Sequence, residues 1–186
     1  MNNTLIFIRH AKTKIAKEIP IANWDLTKEG YKQAEKVKDI KEFQDVNIII
    51  SSTEQKAFLT IKPLADKLGK EIIQIKEFNE IKRPGSEKLT PKQYEDMKIK
   101  IFHDLNFTDY GWETANQALE RFKKATEQIN KDYDNKKILI CVHGSVMTLY
   151  FAYLQNKLDC LMERWKNTNF GSYGVIKDNK VIKDII

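Results

Sequence analysis

Two stretches of this chain, Leu5-Ile6-Phe7-Ile8 and Ile138-Leu139-Ile140-Cys141-Val142, are apolar at every position. A strand with one face in water alternates apolar and polar side chains, whereas a strand apolar throughout is buried on both faces. Such strands need helices above and below them, which confines the chain to a sheet with covered faces. The rest of the sequence supplies those helices. Tyr31, Ala34, Val37 and Ile40 recur at near-helical spacing within residues 27–43, with Thr27 as a cap, and a second buried strand covers residues 46–50. A helix over residues 54–68 ends at Gly69, and Pro63 inside it predicts a kink or a short break. Residues 71–75 read as a third strand, and residues 77–90 as an irregular polar stretch with a turn at Arg83-Pro84-Gly85. Pro91 opens a helix to about Phe102, and Trp112, Ala115, Leu119, Phe122, Ala125 and Ile129 mark a long amphipathic one, with Glu113 and Thr114 at its start. A strand over 137–142, a helix over 146–158 and a hairpin around Asp178-Asn179 complete the pattern. Strands alternating with helices predict an α/β fold with a largely parallel sheet, and the length predicts one domain over residues 1–186.

Three of these strands end in polar residues: Arg9-His10, Ser51-Ser52 and His143-Gly144. In an open α/β sheet, ligands bind in the crevice beyond the carboxyl ends of the strands. The chain has only three histidines, and two of them stand at such ends. A helix follows Gly144 at once, and its free N–H groups would favour an anion. The third histidine, His103, has no motif around it and reads as surface or packing.

Composition narrows the function classes. No apolar run approaches the roughly 20 residues of a membrane span, and no basic-then-apolar leader opens the sequence. The two cysteines, Cys141 and Cys160, have no metal-ligand or disulfide spacing and read as reduced packing residues, so a cytoplasmic protein is expected. The net charge of +6 suggests an anionic partner, but the lysines are scattered among Asp and Glu and no basic cluster interleaves with aromatics. A nucleic-acid or membrane partner is therefore not expected. In a chain this rich in Lys, the four arginines, Arg9, Arg83, Arg121 and Arg164, mark positions where a planar fork of donors matters.

In its order of motifs the chain resembles the histidine phosphatase superfamily, which includes the cofactor-dependent phosphoglycerate mutases. The family's Arg-His-Gly-x-Thr is present as Arg9-His10-Ala11-Lys12-Thr13, and its Leu-Thr-x-x-Gly as Leu26-Thr27-Lys28-Glu29-Gly30. A strand ending in Ser51-Ser52 precedes Lys56-Ala57 and Thr60, where the family has Arg-Ala and Thr. Glu80 follows the next strand, Arg83-Pro84 matches an Arg-Pro of some members, and His143-Gly144 closes the set.

The resemblance implies a three-layer α/β/α sandwich of the phosphoglycerate mutase type, and an enzyme that acts on a small phosphorylated substrate without metal or cofactor. His10 would attack phosphorus and become a phosphohistidine. Arg9, Lys56 and His143 would hold the phosphoryl oxygens, and Glu80 would protonate the leaving oxygen. Thr13, Arg83, Gly144 and Ser145 would bind substrate. Cationic neighbours would keep the His10 imidazole neutral, and would also strip the proton from Glu80 until a phosphate dianion arrives. Three departures stand out: Ala11 for Gly, Ala16 near a phosphate-contacting Asn, and Lys56 for the second core Arg, which keeps a charge but loses the fork. A phosphomonoester hydrolase is the leading reading. A phosphoryl-transfer mutase and a catalytically weakened phospho-ligand binder are the alternatives. For residues outside this set, packing is the expectation: Trp112 with Tyr110 in core or loop, Tyr150 and Tyr153 on one buried helix face, and Ser51 and Ser52 satisfying backbone.

Overall fold

The computed structural model describes residues 2–186. Six strands form one sheet: β1 (Thr4–Arg9), β2 (Ile48–Ser51), β3 (Ile72–Gln74), β4 (Lys137–Val142), β5 (Tyr173–Lys177) and β6 (Lys180–Lys183), in spatial order β3-β2-β4-β1-β5-β6. The first four are mutually parallel, while β5 runs antiparallel to β1 and β6 antiparallel to β5. The helices are α1 (Lys28–Val37), α2 (Gln55–Leu68), α3 (Pro91–His103), α4 (Ala115–Asp132), α5 (Gly144–Leu154) and α6 (Leu161–Asn167).

The all-apolar strands are buried on both faces, and alternate residues feed two separate cores. Ile6, Ile8, Ile49, Leu139 and Cys141 pack with the apolar sides of α1 and α2. Leu5, Phe7, Ile50, Ile138, Ile140 and Val142 pack with α3, α4, α5 and α6. The result is a three-layer α/β/α sandwich. On the second face an aromatic cluster locks the segment after β3 to the sheet: Phe78 lies 4.9 Å from Phe122 and 6.3 Å from Phe7, centroid to centroid, and thereby carries Glu80 towards the strand ends.

Local chemistry sets most helix ends. Thr27 caps α1 by accepting from Gly30 N–H at 2.9 Å. Gly30 is needed for a second reason: a Cβ there would lie 2.1 Å from the Lys12 carbonyl oxygen, so only glycine lets α1 dock under the loop that follows His10. Capping boxes, Thr90 with Gln93 and Thr114 with Gln117, start α3 and α4.

The structure departs from the sequence reading at several boundaries. The helix expected over 27–43 stops at Val37, because the chain turns through a 3₁₀ segment, Lys41–Phe43, that buries Phe43. Gln44 stabilises the turn by donating to the Lys38 and Ile40 carbonyls. Helix α2 runs unbroken across Pro63, which costs one backbone donor but no interruption. Helix α5 begins at Gly144 rather than Val146 and ends by Gln155, and α6 has no counterpart in the sequence reading. Trp112 is buried but precedes α4 instead of lying on it, and Tyr110 is exposed. Tyr150 is buried, whereas Tyr153 is 39 % exposed and so does not share its face. His103 is exposed at the end of α3. Both cysteines are free thiols, and no helix among the described residues is long and apolar enough to cross a membrane.

Candidate active site

Sheet register brings the polar strand ends together. Parallel pairing of Arg9 with Val142 sets His10 beside His143, one residue past the last pair, and pairing of Ser51 with Cys141 brings Ser52 to the same edge. The two imidazole rings stand 5.0 Å apart, centroid to centroid, at 57°. His10 is nearly buried and His143 wholly so.

The tautomer of His10 follows from its contact with a carbonyl. Its Nδ1 lies 2.8 Å from the Ala11 carbonyl oxygen, so Nδ1 carries the proton and donates it there. Nε2 is left with a free lone pair. Thr13 Oγ1, 3.2 Å from both Nδ1 and that carbonyl, braces the arrangement. Burial, reinforced by the neighbouring His143 imidazole, which resists a second proton beside it, and by the charges of Lys56 and Arg9, lowers the His10 pKa well below the imidazole range and keeps the ring neutral. Burial does the same for His143, with Lys56 adding to it. Ser52 Oγ sits 2.7 Å from His143 Nε2 and accepts from Glu54 N–H, so its own proton is free to go to Nε2. That tautomer leaves an Nδ1–H on His143, buried and without an acceptor.

Arg9 is sandwiched. Phe170 covers one side of its guanidinium, 4.2 Å from ring centroid to Cζ, and Gly144 lies against it so closely that a Cβ there would be 3.0 Å from Cζ and Nε. One nitrogen donates to the Thr168 carbonyl, and the buried Nε has no partner. Lys56 also lines the cavity above His10, but its ammonium forms a buried ion pair with Glu54 and donates to the Ile21 carbonyl at 3.1 Å.

Glu80 occupies the start of α5. Its Oε2 accepts from Ser145 N–H at 3.0 Å, and its Oε1 from Val146 N–H at 3.3 Å and Ile81 N–H at 2.9 Å. The anion that fills the free donors of this helix is thus the protein's own carboxylate. Burial alone would push the Glu80 carboxyl up, but Lys98, Arg83, His143 and the Ser145 amide together hold it well below the usual carboxylate range. Arg83 approaches Oε2 at 3.8 Å, and its Nη1 is otherwise buried without a hydrogen bond. Ser145 Oγ accepts a hydrogen bond from the buried Lys98 ammonium. Arg121 fixes the Glu80 segment from α4: it forks onto Glu113 and donates to the carbonyls of Glu77, Asn79 and Glu80.

The model of the histidine phosphatase superfamily (branch 1) matches residues 5–180, nearly the whole chain and every element of this site. The chain belongs to the histidine phosphatase superfamily. Solved structures of the same fold include YhfR of Bacillus stearothermophilus, at 21 % identity, TM-score 0.79, with 97 % of this chain and 95 % of that one covered. A mycobacterial glucosyl-3-phosphoglycerate phosphatase aligns at 16 % identity and TM-score 0.75 over 94 % of this chain and 90 % of its own. Phosphoserine phosphatase of Entamoeba histolytica, solved with phosphoserine, aligns at 20 % and 0.75 over 97 % and 94 %. No curated protein sequence matches the chain.

Within this member of the histidine phosphatase superfamily, the residues singled out from sequence converge on one cavity edge: Arg9, His10, Thr13, Lys56, Glu80 and Arg83 all line a cavity of about 850 Å³. His143, Gly144 and Ser145 lie behind them, the first against Ser52 and the others against Arg9, Glu80 and Lys98. Sequence reasoning missed Glu54, Lys98 and Phe170. Glu54 stands two residues from Lys56, and a carboxylate that close to an unusual Lys was the available signal. Lys98 reads as one Lys among many on a helix, and Phe170 as the start of a hairpin; nothing local distinguishes either.

Proposed function

We propose that this protein hydrolyses phosphomonoesters through a phosphohistidine on His10. The single observation that carries the reading is the His10 tautomer: Nδ1–H is fixed on the Ala11 carbonyl, which leaves Nε2 as a neutral nucleophile amid Arg9, Lys56 and His143. In the first half-reaction Nε2 attacks phosphorus and the bond from phosphorus to the ester oxygen breaks. Arg9, the remaining donor of Lys56 and the Nδ1–H of His143 hold the phosphoryl oxygens as charge shifts in the transition state. The leaving oxygen takes a proton from Glu80, whose carboxyl gains one when a phosphate dianion offsets the surrounding cations. In the second half, Glu80, now ionised, removes a proton from water, which attacks the phosphohistidine and releases phosphate. The ionised resting state of Glu80 suits this second step. Thr13 keeps His10 oriented, and Arg83 contacts the ester.

Brief incubation with a radiolabelled phosphomonoester, followed by quenching in alkali, is expected to leave acid-labile label on wild type and none on His10→Ala. Efficient turnover by His10→Ala would overturn the reading. The buried Lys56–Glu54 pair favours a second one, a phospho-ligand binder with slow turnover, because part of the Lys56 charge is already spent on Glu54. Phosphate binding without any label on His10 would favour that alternative.

A further inference from the structure

The cavity that holds His10 changes character a few ångströms above the nucleophile. Its floor is cationic, whereas its walls set Trp24, Leu89, Tyr94, Trp165 and Phe170 among polar side chains such as Ser86, Glu87 and Thr90. The aromatic surface begins at the reacting groups themselves. The Phe170 ring is 5.6 Å from the His10 ring, and the Tyr94 ring 5.7 Å from Arg83 Cζ. From Tyr94 the surface continues outward to Trp165, centroids 6.4 Å apart, and Trp165 is backed by Phe102 at 6.5 Å. Trp24, also in the lining, has its polar atom satisfied by donating to the Ala16 carbonyl at 2.8 Å. At the rim, Lys166 and Glu95 neutralise each other at 2.6 Å.

A second cavity, of about 1030 Å³, adjoins the first across Glu80 and Arg83, and its lining is rich in charged residues such as Lys76, Glu77 and Lys82. It does not reach His10, Arg9 or Lys56. Of the two, only the first cavity contains His10, so an ester whose phosphorus lies on His10 Nε2 has the Phe170, Tyr94 and Trp165 walls beside its organic part. Flat apolar groups gain from such walls by burial and by ring–ring contact.

We propose that the preferred substrates are phosphomonoesters of aryl or arylmethyl alcohols, bound with the ring between Phe170, Tyr94, Trp165 and Trp24. The inference rests on the phosphatase reading and specifies its substrate class. In turnover, the bond from phosphorus to the arylmethyl oxygen breaks, the phosphoryl group moves to Nε2, and the arylmethanol leaves with the Glu80 proton.

Naphthylmethyl phosphate and glycerol phosphate are a fair pair for the test, since both release a primary alcohol. Wild type is expected to show a kcat/KM at least about tenfold higher for the naphthylmethyl ester, carried mainly by KM, as burial of one aromatic ring requires. That ratio is expected to fall towards one in Trp165→Ala and in Trp24→Ala. A wild-type ratio of one or less, or a ratio unchanged in both variants, would overturn the proposal. Calorimetric titration of both esters into His10→Ala reads the cavity without chemistry. Tighter binding of the naphthylmethyl ester together with no turnover by wild type would keep the pocket preference and remove the phosphatase reading. Equal turnover and equal binding of the two esters would remove the preference and keep the phosphatase.

Discussion

Lys56 shows how one residue's role depends on a neighbour. An ammonium has three donors, and here Glu54 and the Ile21 carbonyl engage two of them, which leaves one for a phosphoryl oxygen. Its charge nonetheless helps to hold the His10 pKa down. Removing it therefore raises that pKa, and the buried, unpaired Glu54 carboxylate pulls in the same direction. The acid limb of the kcat/KM profile is expected below the ordinary imidazole range in wild type and at higher pH in Lys56→Ala; coincident limbs would show that Lys56 does not act on His10. Breaking the pair also costs about 3–5 kcal/mol of stability, measurable by urea denaturation. Replacing both partners, as in Glu54→Gln with Lys56→Met, is expected to recover most of that stability while activity stays low. Recovery of both together would mean that Lys56 serves structure alone.

At the scale of elements, the turn from β4 into α5 does three things in three residues. His143 follows the strand and caps the helix, Gly144 admits the Arg9 guanidinium, and Ser145 offers its N–H to Glu80. Gly144 has no need of unusual backbone angles; it is required by the space above it. Gly144→Ala would press its methyl group on an arginine already pinned by Thr168 and Phe170. Displacement of Arg9 by a fraction of an ångström is expected to lower kcat by about 10- to 100-fold. The same variant should lose no more than about 3 kcal/mol in stability, the usual range for a small overpacking. Steady-state kinetics alongside a thermal melt would check this, and unchanged kcat would mean that Arg9 can move aside at no cost. Gly30 is also required by space, but against backbone: it lets α1 approach the Lys12 carbonyl in the loop after His10, whereas Gly144 makes room for the Arg9 side chain.

Across the whole molecule, the site holds its titratable groups at shifted pKa values, and stability follows pH accordingly. His10 and His143 have folded pKa values well below 6.5. Above about pH 6.5 they are neutral whether folded or not, so they exert no pH dependence. Below it, the unfolded chain takes up protons that the folded protein refuses, so stability falls until the folded values are reached. Glu80 has the opposite charge and the same direction: its folded pKa lies below 4.5, so its contribution is complete above that value and is lost as pH falls through the folded one. The melting temperature is therefore expected to decline as pH drops from about 7 to about 5, and less steeply in His10→Gln with His143→Gln. Equal slopes would mean that the two imidazoles do not set the decline. The same cluster explains why the arginines stand out in a Lys-rich chain. Arg9 and Arg83 line the cavity, Arg121 clamps the Glu80 segment through five hydrogen bonds, and Arg164 ties α6 to Asp184 at 2.7 Å.

The sequence by itself determined the layers and the edge. Strands apolar at every position must be covered on both faces, and a polar residue ending such a strand must lie at the sheet's rim; both are local consequences of side-chain chemistry. His10, Arg9 and His143 were legible for that reason, as were Thr114 and Pro91 at the starts of their helices. Only the tertiary structure decided who touches whom. That Glu80 fills the α5 terminus, that Glu54 claims Lys56, that Lys98 is buried against Ser145 and that Phe170 covers Arg9 depend on packing between segments up to 161 residues apart. Burial in low dielectric then turns those contacts into charge states, and no local pattern of residues encodes burial of that kind.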